Sequence, residues 1–198
     1  MKSIYGYRVW AFLITILVLR SYSLADEGHH SHEHDDRIPD IVINPQNEVN
    51  PWTNLVLNND PENFQIAIVT DRTGGMREGI FASAIPKINL LQPEFVMSVG
   101  DLINGYTEDF QQLRLEWDEF DGLVDGLDMP FFYVAGNHDY SNPVMAEIWK
   151  ERYGVSYYHF VYRDVLFVML NSNDGGGIHK MSERQVGWLQ GVLEANPD

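Results

Sequence analysis

Three short apolar runs, each stopping on a polar cluster, constrain this chain more than any other feature. Phe64-Gln65-Ile66-Ala67-Ile68-Val69-Thr70 ends at Asp71, and Phe95-Val96-Met97-Ser98-Val99 ends at Gly100-Asp101. Phe131-Phe132-Tyr133-Val134-Ala135 ends at Gly136-Asn137-His138-Asp139. Runs of this length with little polar alternation suit strands of a sheet covered on both faces. The clusters follow one another at about 30 and 36 residues, the length of a strand–helix–strand unit. Parallel strands joined in that way bring their C-terminal ends to one edge, where α/β proteins bind ligands. Asp71, Asp101, Asn137 and His138 are therefore expected to converge.

The intervening segments carry helical periodicity. Phe110, Leu113, Trp117, Phe120, Val124 and Leu127 recur at steps of three and four, which predicts one apolar stripe on a helix opened by Thr107. The link from Met76 to Leu91 sets Ile80, Ala84, Ile88 and Leu91 on one face, and Pro86 is expected to kink or split it. Tyr157–Tyr162 and Val165–Leu170 predict a hairpin around Arg163-Asp164. Ser182-Glu183-Arg184-Gln185 has the capping-box pattern of a last helix running through Leu189 and Leu193. The order β-α-β-α-β followed by α, β, β and α predicts an α/β domain with a mainly parallel first sheet.

Ahead of this repeat the chain reads as an address and a lead. Lys2 and Arg8 precede the apolar run Val9–Leu19, and Ser23-Leu24-Ala25 sets small residues before Asp26, the layout of a secretory signal peptide over residues 1–25. The run is too short for the roughly 20 residues that span a bilayer, so no transmembrane segment is expected after cleavage and the protein is expected to be secreted or periplasmic. Residues 26–63 read as an extended polar lead, with Asn59-Asp60-Pro61 marking the start of the compact part. His29, His30, His32 and His34 stand in it among carboxylates, a density that chelates divalent metals or forms a solvated tail.

At 198 residues the chain suits one domain or a large part of one. Its 29 Asp and Glu against 13 Lys and Arg give a formal charge of −16, a surface that repels a phosphate backbone and argues against nucleic-acid binding. The absence of cysteine removes thiol nucleophiles, thiolate metal sites and disulfides. No G-x-S-x-G, G-x-x-x-x-G-K-[ST] or G-x-G-x-x-G occurs, so serine-hydrolase, P-loop and dinucleotide-binding chemistry have no motif support. Two carboxylates packed closely are costly unless a proton or cation compensates them. With an Asn oxygen and an imidazole beside them, a divalent ion is the natural compensation. The bland alternative for an acid after a strand is the N-cap of the next helix.

Gly100-Asp101-Leu102-Ile103-Asn104 and Gly136-Asn137-His138-Asp139 resemble the G-D-x-x and G-N-H-[DE] blocks of the calcineurin-like metallophosphoesterase superfamily, which includes purple acid phosphatases and many secreted phosphoesterases. The S-x-x-Q-x-x-W-L pattern from Ser182 is similar to the family's helix before its next ligand-bearing strand. The resemblance covers about residues 64–198 and implies a metallophosphoesterase-like α/β sandwich. It implies two metal ions (Mn, Fe or Zn), with Asp71 on the first, Asp101 bridging, Asn137 on the second, and His138 beside the phosphoryl group. It also implies hydrolysis of small phosphate mono- or diesters, with metal-bound hydroxide as nucleophile. His138 then needs an acceptor on its other ring nitrogen, for which Asp139 and Asn104 are candidates.

The chain departs from the family pattern at three places. The family's D-x-H block reads Asp71-Arg72-Thr73, and Asn104 occupies the position of the purple acid phosphatase tyrosine, with Tyr106 two residues on. The sequence reaches Asn196-Pro197-Asp198 without the later H and G-H-x-H blocks. Residues 64–198 are accordingly expected to be the N-terminal part of a metallophosphoesterase domain, or a shortened, metal-poor or inactive relative. An exported non-catalytic metal-binding or interaction protein is the competing expectation. Arg72 is a candidate phosphate ligand or a partner of surface acids; His179 is a weak second cleft candidate, and His159 is expected to be structural.

Overall fold

The computed structural model describes residues 17–20, 41–43, 47–57, 64–177 and 179–197. Among the described residues there are seven strands: β1 (Leu17–Arg20), β2 (Ile41–Ile43), β3 (Ala67–Val69), β4 (Val96–Ser98), β5 (Phe131–Phe132), β6 (Tyr158–Tyr162) and β7 (Val165–Met169). Four helices join them: α1 (Ile80–Leu91), α2 (Phe110–Val124), α3 (Pro143–Tyr153) and α4 (Glu183–Ala195). The described order from β3 onward is the predicted one.

The three apolar runs form a parallel sheet in the order β3-β4-β5. Successive residues alternate between two cores, as the period of two in a strand requires. Val96 and Phe131 face Leu113, Trp117 and Phe120 of α2 and Ile148 and Trp149 of α3. Met97 and Phe132 face the other way, toward Tyr158, Phe160, Tyr162, Phe167 and Met169 of a second, antiparallel sheet ordered β1-β7-β6-β2. Phe95 sits at the centre of that inner core, with ring centroids 5.2–5.7 Å from Phe132, Phe160, Tyr162 and Phe167. On the far face of the second sheet, Leu166 and Val168 pack against Val192 of α4. The layers thus run helix, parallel sheet, antiparallel sheet, helix: an α/β sandwich whose first sheet is parallel.

The hairpin β6–β7 turns where expected, with Arg163 and Asp164 both at positive φ (49° and 59°), the geometry of a type I′ turn. Ser182 caps α4 by accepting the Gln185 N–H at 3.1 Å. Only half of the expected box forms. The Gln185 side chain turns instead to the backbone of Asn171 and to Asp174, and Asp174 takes the Ser182 N–H at 2.7 Å.

Three local expectations are corrected. Helix α2 is capped by Asp109, whose carboxylate accepts the N–H groups of Gln111 and Gln112, while Thr107 only supports Asp109. Its stripe is buried at Leu113, Trp117, Phe120 and Val124, but Phe110 lies in its first turn and is exposed. Helix α1 begins at Ile80 and runs unbroken through Pro86, whose ring and nearby Ala82 both face solvent, so water can satisfy the freed carbonyl. Its buried residues are Ile85 and Ile88, whereas Ile80 and Leu91 are exposed; the flank of the helix that is covered packs toward α2.

The compact part also starts earlier than the Asn59-Asp60-Pro61 turn suggests. Strand β2 pairs antiparallel with β6, and Ile41 and Ile43 enter the inner core. Residues 51–53 seal the outer edge of β5: Thr53 N–H donates to the Phe131 carbonyl at 3.1 Å and Tyr133 N–H to the Pro51 carbonyl at 2.9 Å. A turn signal reports local chain reversal and is blind to such a long-range pairing. Asn59-Asp60-Pro61, the His-rich 29–34 segment and most of residues 1–25 lie outside the described residues; Leu17–Arg20 of the expected signal peptide pairs with β7. Among the described residues no helix is long and apolar enough to cross a membrane.

Candidate functional site

The C-terminal ends of β3, β4 and β5 deliver Asp71, Gly100-Asp101 and Gly136-Asn137-His138-Asp139 to one edge of the parallel sheet. None of the polar residues serves as the cap of the following helix: those caps are Gly79, Asp109 and Asn142. The helix-capping alternative is thereby removed for all three clusters.

Glycine makes the convergence possible. A Cβ on Gly100 would stand 2.5 Å from the backbone of Gly136, and a Cβ on Gly136 would stand 2.3 Å from Asp101 Oδ1. The second and third loops therefore touch backbone to backbone, and no other residue fits at either contact. Both acids also lie in left-handed backbone, Asp71 at φ 41° and Asp101 at φ 58°. Asp tolerates that region better than most residues, and such positions gather at functional sites.

Asp139, fully buried, binds the loops together. Its Oδ2 accepts the N–H groups of Asp101 (2.7 Å) and Gly136 (2.8 Å), and its Oδ1 accepts those of Leu102 (2.9 Å) and Ile103 (3.2 Å). Burial pushes its carboxyl up to about 6, opposed by these donors. Asp101 is 7% exposed. Burial raises its pKa above the ordinary carboxylate value; the His138 N–H at 3.0 Å on its Oδ1 opposes this, and the neighbouring Asp71 carboxyl adds to it. Asp71 and Asp101 are thus immediate neighbours, tied further by Asp71 N–H to the Gly100 carbonyl at 3.3 Å.

Asn137 is nearly buried, and its Nδ2 donates to the Tyr106 hydroxyl at 2.5 Å. His138 is oriented through Nδ1, 2.7 Å from the backbone carbonyl of Asn104. Of the two acceptors expected for that nitrogen, Asn104 supplies it; Asp139 is wholly engaged with backbone. Thr73, at the D-x-H position, is buried, with its hydroxyl 3.3 Å from both Asn104 Oδ1 and His138 Nδ1. Its hydroxyl buttresses the histidine and supplies no imidazole.

Arg72 lines the cleft that opens beside Asp71, with its side chain largely buried. Its guanidinium bonds the Leu102 carbonyl at 3.2 Å, pairs with Glu119 and lies over the Phe120 ring, so of its two expected roles it takes the structural one. His159 faces α4, its ring 5.7 Å from that of Trp188, and burial lowers its pKa. His179 is exposed, and its N–H is held by Asn173 Oδ1 at 3.1 Å. A cleft of about 450 Å³ opens beside Asp71, lined in part by Met76, Arg77, Ile80 and Phe81. Sequence reading undervalued Tyr106; its signal was an aromatic residue after Asn104-Gly105, where glycine permits a sharp reversal toward the loops.

Among the described residues no group of three or more His, Cys, Asp or Glu side chains gathers as a metal site. The edge offers instead two carboxylates and a carboxamide whose oxygen takes no hydrogen bond from the described residues. These are hard oxygen donors suited to a divalent cation, and a cation would relieve the crowding of Asp71 and Asp101. They fit part of a coordination shell, since Zn²⁺ takes about four ligands and Mg²⁺ about six.

The calcineurin-like phosphoesterase family model matches residues 64–192. No curated protein and no solved structure matches the chain.

Proposed function

The chain belongs to the calcineurin-like phosphoesterase family, and from that premise we propose that the loop edge is a metal-dependent phosphoesterase site that hydrolyses phosphate mono- or diesters at a dinuclear centre. The observation that carries the reading is the convergence of Asp71 and Asp101 at the ends of adjacent parallel strands, joined by Asp71 N–H to the Gly100 carbonyl and Thr73 N–H to the Asp101 carbonyl, with Asn137 and His138 on the loop against Asp101. In this reading Asp71 would hold the first ion, Asp101 would be shared by both and Asn137 would hold the second. Bound divalent ions (Mn, Fe or Zn) would supply Lewis acidity and a water of lowered pKa.

The chain's own residues do the rest. Asp139 fixes Asp101 and the backbone from Asp101 to Ile103 before any ligand arrives, so little reorganisation is needed when charge develops. With Nδ1–H given to the Asn104 carbonyl, His138 Nε2 is the nitrogen left for the phosphoester. A Cβ on Gly74 would stand 3.7 Å from Nε2, so glycine keeps that side open to a ligand. As imidazolium, Nε2 donates to the leaving oxygen or to the developing negative charge.

A second reading, an exported non-catalytic protein that keeps the fold, draws support from Thr73, which fills a buried position with a hydroxyl already engaged by Asn104 and His138. The secretory address over residues 1–25 belongs to both readings. Hydrolysis of aryl phosphate mono- and diesters with Mn²⁺, Zn²⁺ or Fe²⁺, measured for the wild-type chain, Asp101→Asn and His138→Ala, tests the choice. The phosphoesterase reading expects turnover that both substitutions abolish. Turnover surviving both, or none with any metal, contradicts it.

A further inference from the structure

Tyr106 stands half exposed at the mouth of the loop edge, yet its backbone is left-handed, φ 50°, directly after Gly105 at φ 56°. A bulky residue in that region is a true outlier and persists where its surroundings over-determine it. The surroundings here are the G-N-H-D loop. A Cβ on Gly105 would stand 1.7 Å from the His138 carbonyl oxygen, so the chain crosses that loop in backbone contact. From the crossing, Tyr106 reaches two consecutive residues. Its hydroxyl receives the Asn137 Nδ2–H at 2.5 Å, and its ring meets the His138 imidazole edge-on, centroids 4.5 Å apart at 65°.

A carboxamide has two ends of similar size, and only the oxygen ligates a cation. Among the described residues the Tyr106 hydroxyl is the side-chain hydrogen-bond partner of Asn137; a phenol can accept or donate, and here it accepts from Nδ2, which leaves Oδ1 without a protein donor. We propose that Tyr106 is a positioning residue for divalent-cation binding: its hydroxyl takes the amide hydrogen of Asn137, leaving Oδ1 for the ion, while its ring holds His138 beside it. This rests on reading the edge as a metal-dependent phosphoesterase site. The strained backbone is then part of the device, because a relaxed Gly105-Tyr106 pair would not cross the loop closely enough to reach Asn137.

The test is a Mn²⁺ titration of the full chain, with free ion followed by electron paramagnetic resonance, on wild type, Tyr106→Phe, Asn137→Ala, the double variant and Asp101→Asn. Metal-free thermal melts run alongside. Tyr106→Phe keeps the ring and removes the hydroxyl alone. It is expected to weaken Mn²⁺ binding roughly 10–100-fold, the usual effect of losing a hydrogen bond to a ligand, without moving the metal-free melting temperature. In the Asn137→Ala background the same change is expected to have no further effect, which a merely structural role would not produce. Wild-type affinity in Tyr106→Phe, or additive losses in the double variant, while Asp101→Asn binds weakly, would overturn the role of Tyr106 and leave the site reading intact. No binding by wild type, or full binding by Asp101→Asn, would overturn both.

Discussion

The carboxylate of Asp139 accepts the backbone N–H of Asp101 at 2.7 Å, so the acid that closes one loop holds the acid that opens another. Four backbone N–H groups end on its two oxygens. Asp139→Asn keeps the size but puts an NH₂ group against two of those donors. The buried donors left unpaired cost about 1–3 kcal/mol. Chemical denaturation should show that loss, with weakened Mn²⁺ binding because Asp101 is no longer held; unchanged stability would show that the loops cohere without Asp139.

The glycines at the loop contact make a second prediction. Gly136→Ala places a methyl group 2.3 Å from Asp101 Oδ1, so either the loops separate or Asp101 moves. A stability loss of about 1–3 kcal/mol is expected, together with loss of phosphoesterase turnover. Gly122→Ala, at an open and exposed position of α2, is the control: it should leave turnover unchanged and raise stability by up to about 1 kcal/mol, the usual gain of Ala over Gly in a helix.

Arg72 lines the cleft beside Asp71, but its guanidinium is already engaged by other groups. Its contacts are the Leu102 carbonyl, Glu119 and the Phe120 ring. The Glu119 partner is largely exposed, so the ion pair itself contributes little, at most about 1 kcal/mol. Arg72→Ala should lower the melting temperature through the lost carbonyl bond and packing, and leave KM for a phosphoester within about twofold of wild type in the fraction that is folded. A KM rise of an order of magnitude without destabilisation would return Arg72 to the substrate.

Stability should depend on pH in an unusual direction. Burial raises the carboxyls of Asp101 and Asp121 above their ordinary value and pushes Asp139 up to about 6. Folded values above the unfolded value near 3.8 mean that the folded chain binds more protons between about pH 4 and 6, so stability falls as pH rises through that window. The melting temperature of the metal-free chain should therefore be higher at pH 5 than at pH 7, and relief of the −16 charge acts in the same sense. Mn²⁺ should narrow the difference, because a cation favours the ionised form of Asp101. Scanning calorimetry across pH, with and without Mn²⁺, reads both effects; a melting temperature that climbs steadily from pH 4 to 7 without metal would contradict the assignment.

The parallel sheet and the meeting of Asp71, Asp101 and Asn137 were legible because each rests on a short-range signal: an apolar run, its length, and the residue that ends it. Gly100 and Gly136 announced the close approach that the structure shows between them. What depended on distant partners was not legible. Ile41–Ile43 is a β-branched run bounded by Pro39-Asp40 and Asn44-Pro45, but its pairing with β6 is a long-range contact that its neighbourhood does not announce. Ile80 and Leu91 carry the right spacing on α1 but face water, since the covered flank of the helix, at Ile85 and Ile88, is set by its packing toward α2. Asp109 displaced Thr107 as the cap of α2 by two residues, a shift that periodicity does not resolve. Tyr106 owes its place to the contact between Gly105 and the His138 carbonyl.

Where a metal ion binds is the question on which the account stands, and anomalous diffraction from crystals grown with Mn²⁺ answers it most directly. The account predicts density in contact with the carboxylates of Asp71 and Asp101 and with Asn137 Oδ1, absent from Asp101→Asn crystals grown alongside. Density confined to His29–His34, with the strand-end carboxylates bare, would contradict it.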